Sequence, residues 1–203
     1  MAITRPKMQN NVSPLLAAQW YSEKIKSETL ALKDRINKIQ DYPENWVNRD
    51  KCDVIDETLR KQYFLGCQTP LGLFYREKCI HKVMSTLPKT NIKNLFTYTF
   101  EHVIPVAFLR NQILSYSELK TENIVMAYLS PVALITKSSC ENIDDVDINH
   151  CPEFPFKRYI KFGIQTVSND GFDVNENWSI HNHWELLSQE QEFKEVLDYY
   201  GIS

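Results

Sequence analysis

No stretch of the chain approaches the roughly 18 consecutive apolar residues that a membrane-spanning helix needs. The first ten residues, Met1 to Asn10, contain no apolar signal region either, so the expectation is a soluble, unexported protein with no membrane partner. C-x-x-C spacing is missing. Cys52, Cys67, Cys79, Cys140 and Cys151 are scattered and odd in number, which argues against a disulfide framework or a zinc ribbon and fits a reducing cytoplasm. A P-loop, a dinucleotide fingerprint, a nucleophile elbow and a kinase signature are all absent, which leaves the common nucleotide-binding and hydrolase classes without support.

What is present suffices for a core: 203 residues, 43% hydrophobic and 12% aromatic, exclude a wholly disordered chain. Residues 1–100 carry 16 Lys and Arg against 10 Asp and Glu, and residues 101–203 carry 7 against 16, so the net charge of −3 divides into +6 and −9. A basic half suits phosphates or an acidic partner, and an acidic half suits a basic one. Both halves are equally compatible with ordinary solvated faces.

Residues 1–12 read as a loose arm. Ser13-Pro14 is an N-cap followed by a first helical position, and no glycine or proline interrupts the chain from there to Asp41. Leu15, Leu16, Trp20, Ile25, Leu32, Ile36 and Ile39 recur at helical spacing, with lysines and Arg35 between them, which predicts a long amphipathic helix ended by Tyr42-Pro43. Asp53 to Leu65 predicts a second helix, stopped by Gly66. Thr69-Pro70 opens a third, carried by Leu71, Leu73, Phe74, Ile80, Val83, Met84 and Leu87. Cys79 and His81 lie about 200° apart around that helix and do not share a metal ion.

From Asn91 the period changes. Ile92, Leu95, Phe96, Tyr98 and Phe100, mixed with threonines, predict a strand. It ends in Glu101-His102-Val103-Ile104-Pro105, and Pro105 starts a helix expected over Val106 to Leu119. Ile124 to Leu129 fits either helix or buried strand, Ser130 to Thr136 a second strand, and Lys137 to Asp144 a short helix with Ser138 and Glu141 as a capping box.

This order of strand, acid–histidine pair, proline-led insertion, strand and short helix resembles the ββα-metal, or HNH, nuclease finger over about residues 98–144. Glu101, His102 and Pro105 match the family's opening. The resemblance implies a metal-dependent endonuclease acting on DNA, of restriction, mobile-element or phage type. In it His102 is the catalytic general base and Glu101 a ligand to Mg²⁺ or another divalent cation, with Asn142 or Glu141 closing the metal site. Asn111 or Asn123 would stand for the family's middle asparagine. The basic N-terminal helices would touch DNA phosphates. The alternative is a non-catalytic regulator or inhibitor that binds a protein partner through charged surfaces, with Glu101-His102 a structural junction.

Residues 145–155 read as an acidic irregular link whose spacing does not match a calcium loop. Phe156 to Val167 alternates like a strand, although Gly163 also suits a helix stop. Asn169-Asp170-Gly171 is a hairpin turn and Phe172 to Val174 the returning strand. Between Asn175 and Trp184, His181 and His183 would share one face of a strand and could hold a metal, and Trp178 and Trp184 could stack on bases. The competing reading is an aromatic-rich loop packed under a final helix that Ser188 caps and Phe193, Val196, Leu197 and Tyr200 anchor. The expected whole is one α+β domain: a flexible arm at 1–12, a helical half at 13–90, and an α+β half at 91–203 holding a small mixed sheet and a C-terminal helix.

Overall fold

The computed structural model describes residues 13–38, 55, 58–59, 74–86, 97–143 and 153–202. It is an α+β fold whose helices and five-stranded mixed sheet fall into two compact units, interleaved along the chain. One unit takes residues 1–68, 106–129 and 188–203, and the other takes 69–105 and 130–187. Among the described residues no helix is long and apolar enough to cross a membrane.

The first unit is helical. Helix α1 spans Pro14–Lys38, and Ser13 caps it by accepting from the Leu16 N–H at 3.3 Å. Its buried stripe is Ala18, Tyr21, Ser22, Ile25, Thr29 and Leu32, an i, i+3/i+4 series. Leu16, assigned to that stripe by its hydrophobicity, is 41% exposed, because small residues and hydroxyls carry the close packing instead. Helices α3 (Val106–Ser115) and α4 (Thr121–Tyr128) and the last helix, α8 (Gln191–Tyr200), complete the described helices of this unit. Tyr21 stacks on Tyr128 with ring centroids 5.2 Å apart. The ambiguous run Ile124 to Leu129 is thus helical up to Tyr128, and α3 stops at Ser115, short of the expected Leu119. Helix α8 begins after Glu190, which makes no side-chain cap, whereas Ser188 is the last residue of the preceding helix.

The second unit is built on a sheet of order β2-β3-β1-β4-β5, with β1 Tyr75–Glu77, β2 Tyr98–His102, β3 Val132–Thr136, β4 Thr166–Ser168 and β5 Asp173–Val174. Only β1 and β3 run parallel; the other pairs are antiparallel. The central strand β1 replaces helix at Tyr75–Glu77 in the expected third helix, of which α2, Lys78–Thr86, is seen; residues 69–73 and 87 lie outside the described residues. Three residues are too few for a period-2 signal, and pairing on both sides overrides the local helical pattern.

Helix α6 (Lys157–Lys161) takes the first part of the strand expected over Phe156 to Val167. The alternation there was coincidental: Gly163, with φ +72°, stops the helix and turns the chain into the short β4. Gly171, at φ +86°, serves the β4–β5 turn as the Asn-Asp-Gly sequence implied. Helix α5 spans Lys137–Asn142, and its cap is Thr136, whose hydroxyl accepts from the Ser139 N–H, rather than the expected Ser138. The final helix of this unit, α7, spans Ile180–Ser188. His181 and His183 therefore sit about 200° apart around a helix instead of sharing a strand face; His181 is exposed and His183 fully buried. The expected helix from Asp53 to Leu65, the termination at Tyr42-Pro43 and the acidic link from 145 lie wholly or mostly outside the described residues.

Ile25 and Leu30, on opposite sides of α1, test its packing. Ile25 is fully buried and Leu30 is 51% exposed. Urea unfolding should show Ile25→Ala destabilised by about 2–5 kcal/mol and Leu30→Ala by less than about 0.5 kcal/mol. Equal losses would mean the helix buries a different face.

Candidate functional site

The predicted site starts on β2, an edge strand that pairs with β3 along its whole length, Tyr98↔Thr136 through His102↔Val132. Val103 N–H extends the ladder to the Pro131 carbonyl at 3.0 Å. Successive residues of a strand point to opposite faces. Glu101, opposite Ala133, therefore shares a face with Tyr75, which pairs with Ala133 from the other side. His102, opposite Val132, belongs to the other face, where it is 6% exposed.

On its own face Glu101 meets two helices. Its Oε1 accepts from Arg158 Nη2 of α6 at 3.1 Å, and Cys140 Sγ of α5 lies 3.8 Å from Oε2. The Arg158 side chain is 6% exposed and that of Glu101 25%. Arg158 Nε and Nη1 and the neighbouring Tyr159 hydroxyl find no hydrogen-bond partner among the described residues, where Glu101 is the carboxylate that compensates the guanidinium. Burial, and after it the Glu101 carboxylate, pushes the Tyr159 phenol well above its ordinary pKa.

The remaining predicted ligands sit on α5 and point elsewhere. Glu141 is exposed and lies 3.7 Å from Lys137 one turn before it, and Asn142 is exposed. Asn111 and Asn123 belong to the helical unit. The structure thus brings Glu101 to the helix that carries Cys140, but it separates Glu101 from His102 across the sheet. A divalent cation does not fit this set: the place beside the Glu101 carboxylate is taken by a guanidinium, which repels a second cation, and the imidazole lies on the far face. Among the described residues no group of three or more His, Cys, Asp or Glu side chains is placed to hold a metal ion.

Two residues that matter to this region went unnoticed in the sequence because both fall in β1. Glu77 accepts from Thr136 N–H at 2.8 Å and from Ser139 Oγ at 2.9 Å, which fixes the turn from β3 into α5. Tyr75 is the centre of a buried polar chain. Trp178 Nε1 donates to its hydroxyl at 3.2 Å, and the hydroxyl lies 3.0 Å from His183 Nδ1. The arrangement that uses every donor has Tyr75 donating to Nδ1, which leaves the ring proton of His183 on Nε2. Phe156 closes the cluster, its ring centroid 4.6 Å from that of Tyr75. His183 and Trp184 are thus core groups, entering from a helix rather than a loop, and Trp178 is half-buried beside Tyr75.

A cleft of about 600 Å³ lies at the opposite end of this sheet, against the β4–β5 hairpin. Its lysine, Lys78, is already paired with Asp173 at 2.8 Å, and the other polar groups on its wall are amides, a threonine and Glu176.

Burial raises the Tyr75 phenol far above its usual pKa, only partly offset by the Trp178 hydrogen bond. A raised folded value means the stabilisation is complete below about pH 10 and is lost as the pH rises, because the unfolded chain then releases a proton that the folded one keeps. Urea midpoints should hold to about pH 10 and fall beyond it, and the fall should be shallower in Tyr75→Phe. Identical pH profiles would show that the phenol does not govern alkaline stability.

Loss of the Glu101 charge leaves a buried guanidinium uncompensated. Glu101→Gln should lower stability by about 1–3 kcal/mol, less than a fully buried pair because the carboxylate is partly solvated. Glu141→Gln should change it by less than about 0.5 kcal/mol. Thermal unfolding of the two variants reads the difference. Comparison of the chain with protein-family models, with curated proteins and with solved structures finds no match.

Proposed function

We propose that this protein acts by binding rather than by catalysis, as a regulator or inhibitor that meets a basic protein surface with its acidic C-terminal portion. The observation that carries the reading is the fate of the acid–histidine pair. Glu101 is engaged by the buried Arg158 on one face of β2, while His102 is buried on the other. A general base has to reach a water or a substrate proton, and its metal-binding neighbour has to reach the same reaction centre. In this arrangement Glu101 works instead as a tie from β2 to α6, and His102 packs on the other face.

Surface charge supports the binding side of the proposal. Glu192, Glu195 and Asp198 are exposed along α8, and Lys194 is that helix's only basic residue. An acidic surface of this kind steers a basic partner and speeds its association.

A plasmid cleavage assay in Mg²⁺ or Mn²⁺, run beside a chelator control and a folded His102→Ala variant, tests the proposal. The expected result is no metal-dependent nicking above the control. Nicking that requires metal and vanishes in His102→Ala would replace this reading with an HNH-like endonuclease acting on DNA.

A further inference from the structure

The helical unit carries a pocket of about 430 Å³ where α1, α4 and α8 meet, lined by Gln19, Glu23, Thr121, Glu122, Tyr199 and Tyr200. Its volume is within the range of small-ligand clefts, roughly 300–1,000 Å³, and suits one or two side chains rather than a folded segment. Gln19 and Glu23 stand one turn apart on α1, so both reach the same wall. Glu122 comes from the first turn of α4.

Neither Glu23 nor Glu122 has a cationic partner among the described residues, and both are exposed. The nearby Lys26 directs its ammonium to the Thr121 hydroxyl at 3.3 Å. Opposite the carboxylates stand two tyrosines with ring centroids 4.9 Å apart at 78°. Tyr199 is 62% exposed, so its ring is open to a ligand from solvent. Tyr200 is half-buried, and burial, the largest cause, together with the Glu23 and Glu122 charges raises its phenol pKa and keeps it neutral. Both rings lie in the last turn of α8, whose carbonyl end carries partial negative charge.

Carboxylates, aromatic faces and a helix C-terminus all favour a cation, and a planar one gains most because it can stack on a ring while its edge meets a carboxylate. We infer that this pocket receives the guanidinium of an arginine side chain presented by a partner protein. The inference rests on the binding reading above and names the chemistry of the partner.

Fluorescence anisotropy with a labelled Gly-Ser peptide carrying three arginines tests it, with the matching lysine peptide and free spermidine as further arms. The arginine peptide should bind the full chain. Combined Glu23→Gln and Glu122→Gln should weaken it by about tenfold, and Tyr199→Ala by about two- to fivefold. Glu118→Gln with Glu153→Gln removes the same charge from exposed sites off the pocket and should leave affinity within about twofold. Circular dichroism confirms that each variant keeps its helices.

No binding of the arginine peptide, or an equal loss in the off-pocket double variant, overturns the pocket assignment. Equal affinity for the lysine peptide overturns the choice of guanidinium, and spermidine competing as strongly as the peptide overturns a protein partner in favour of a small polyamine. Metal-dependent DNA cleavage by a protein that still binds the peptide would defeat the binding-only reading and leave the pocket standing, so the two failures are distinguishable.

Discussion

The sheet depends on the pairing of one three-residue strand. Tyr75, Arg76 and Glu77 hydrogen-bond to β3 on one side and β4 on the other, so β1 alone joins the β2–β3 pair to the β4–β5 hairpin. The strand is short, but its ladder is longer than its assignment: Phe74 C=O accepts from Asn169 N–H and Lys78 N–H donates to Gln165 C=O, both at 2.8 Å. Its two inward side chains then do separate work. Tyr75 gathers Trp178 and His183 into one hydrogen-bonded cluster, and Glu77 clamps the exit of β3 into α5. Breaking this strand would remove ladder bonds, a buried polar chain and a helix junction together, which is why its three residues carry so much weight.

Strand alternation is the second constraint, and it decides what the acid–histidine pair can be. Adjacent residues on a regular strand diverge, so Glu101 and His102 cannot both serve one centre while β2 stays regular through His102. What the sheet allows is one contact per face. Glu101 takes the buried arginine, a partner worth holding because an uncompensated guanidinium in the interior costs several kcal/mol. The resemblance to a nuclease finger was carried by residue order. Order along a regular strand puts neighbours on opposite faces, so adjacency in sequence is not convergence in space.

Legibility followed signal length. The 25-residue α1, its Ser13 cap, β3, the Asn-Asp-Gly turn and the inner face of α8 were all readable, because caps, turn chemistry and several turns of periodicity agree there. Helix α6 was misread because five residues cannot complete a helical pattern, and Arg158 and Ile160 happened to mimic alternation. Strand β1 was missed because its neighbours on both sides are distant in sequence and α2 follows it directly. That one miss hid Tyr75 and Glu77, the residues that explain the buried His183 and the start of α5. The Arg158–Glu101 pair, 57 residues apart, leaves no local trace at all.

The two units dispose of their charges differently, and this difference points to where the molecule can interact. In the sheet unit the buried cation Arg158 is consumed by Glu101, and the exposed Lys78 by Asp173. In the helical unit Glu23 and Glu122 have no cationic partner among the described residues and stand at a concave surface beside an exposed tyrosine. Charges neutralised within the fold contribute to stability and to little else, whereas charges left unpaired on a concave wall retain their full interaction energy for something that arrives from outside. A carboxylate pair on a flat, aromatic-free surface would be satisfied by water. Set against two tyrosine rings, the same pair faces a cleft in which a flat cation, more weakly hydrated than an ammonium, gains on both its face and its edge.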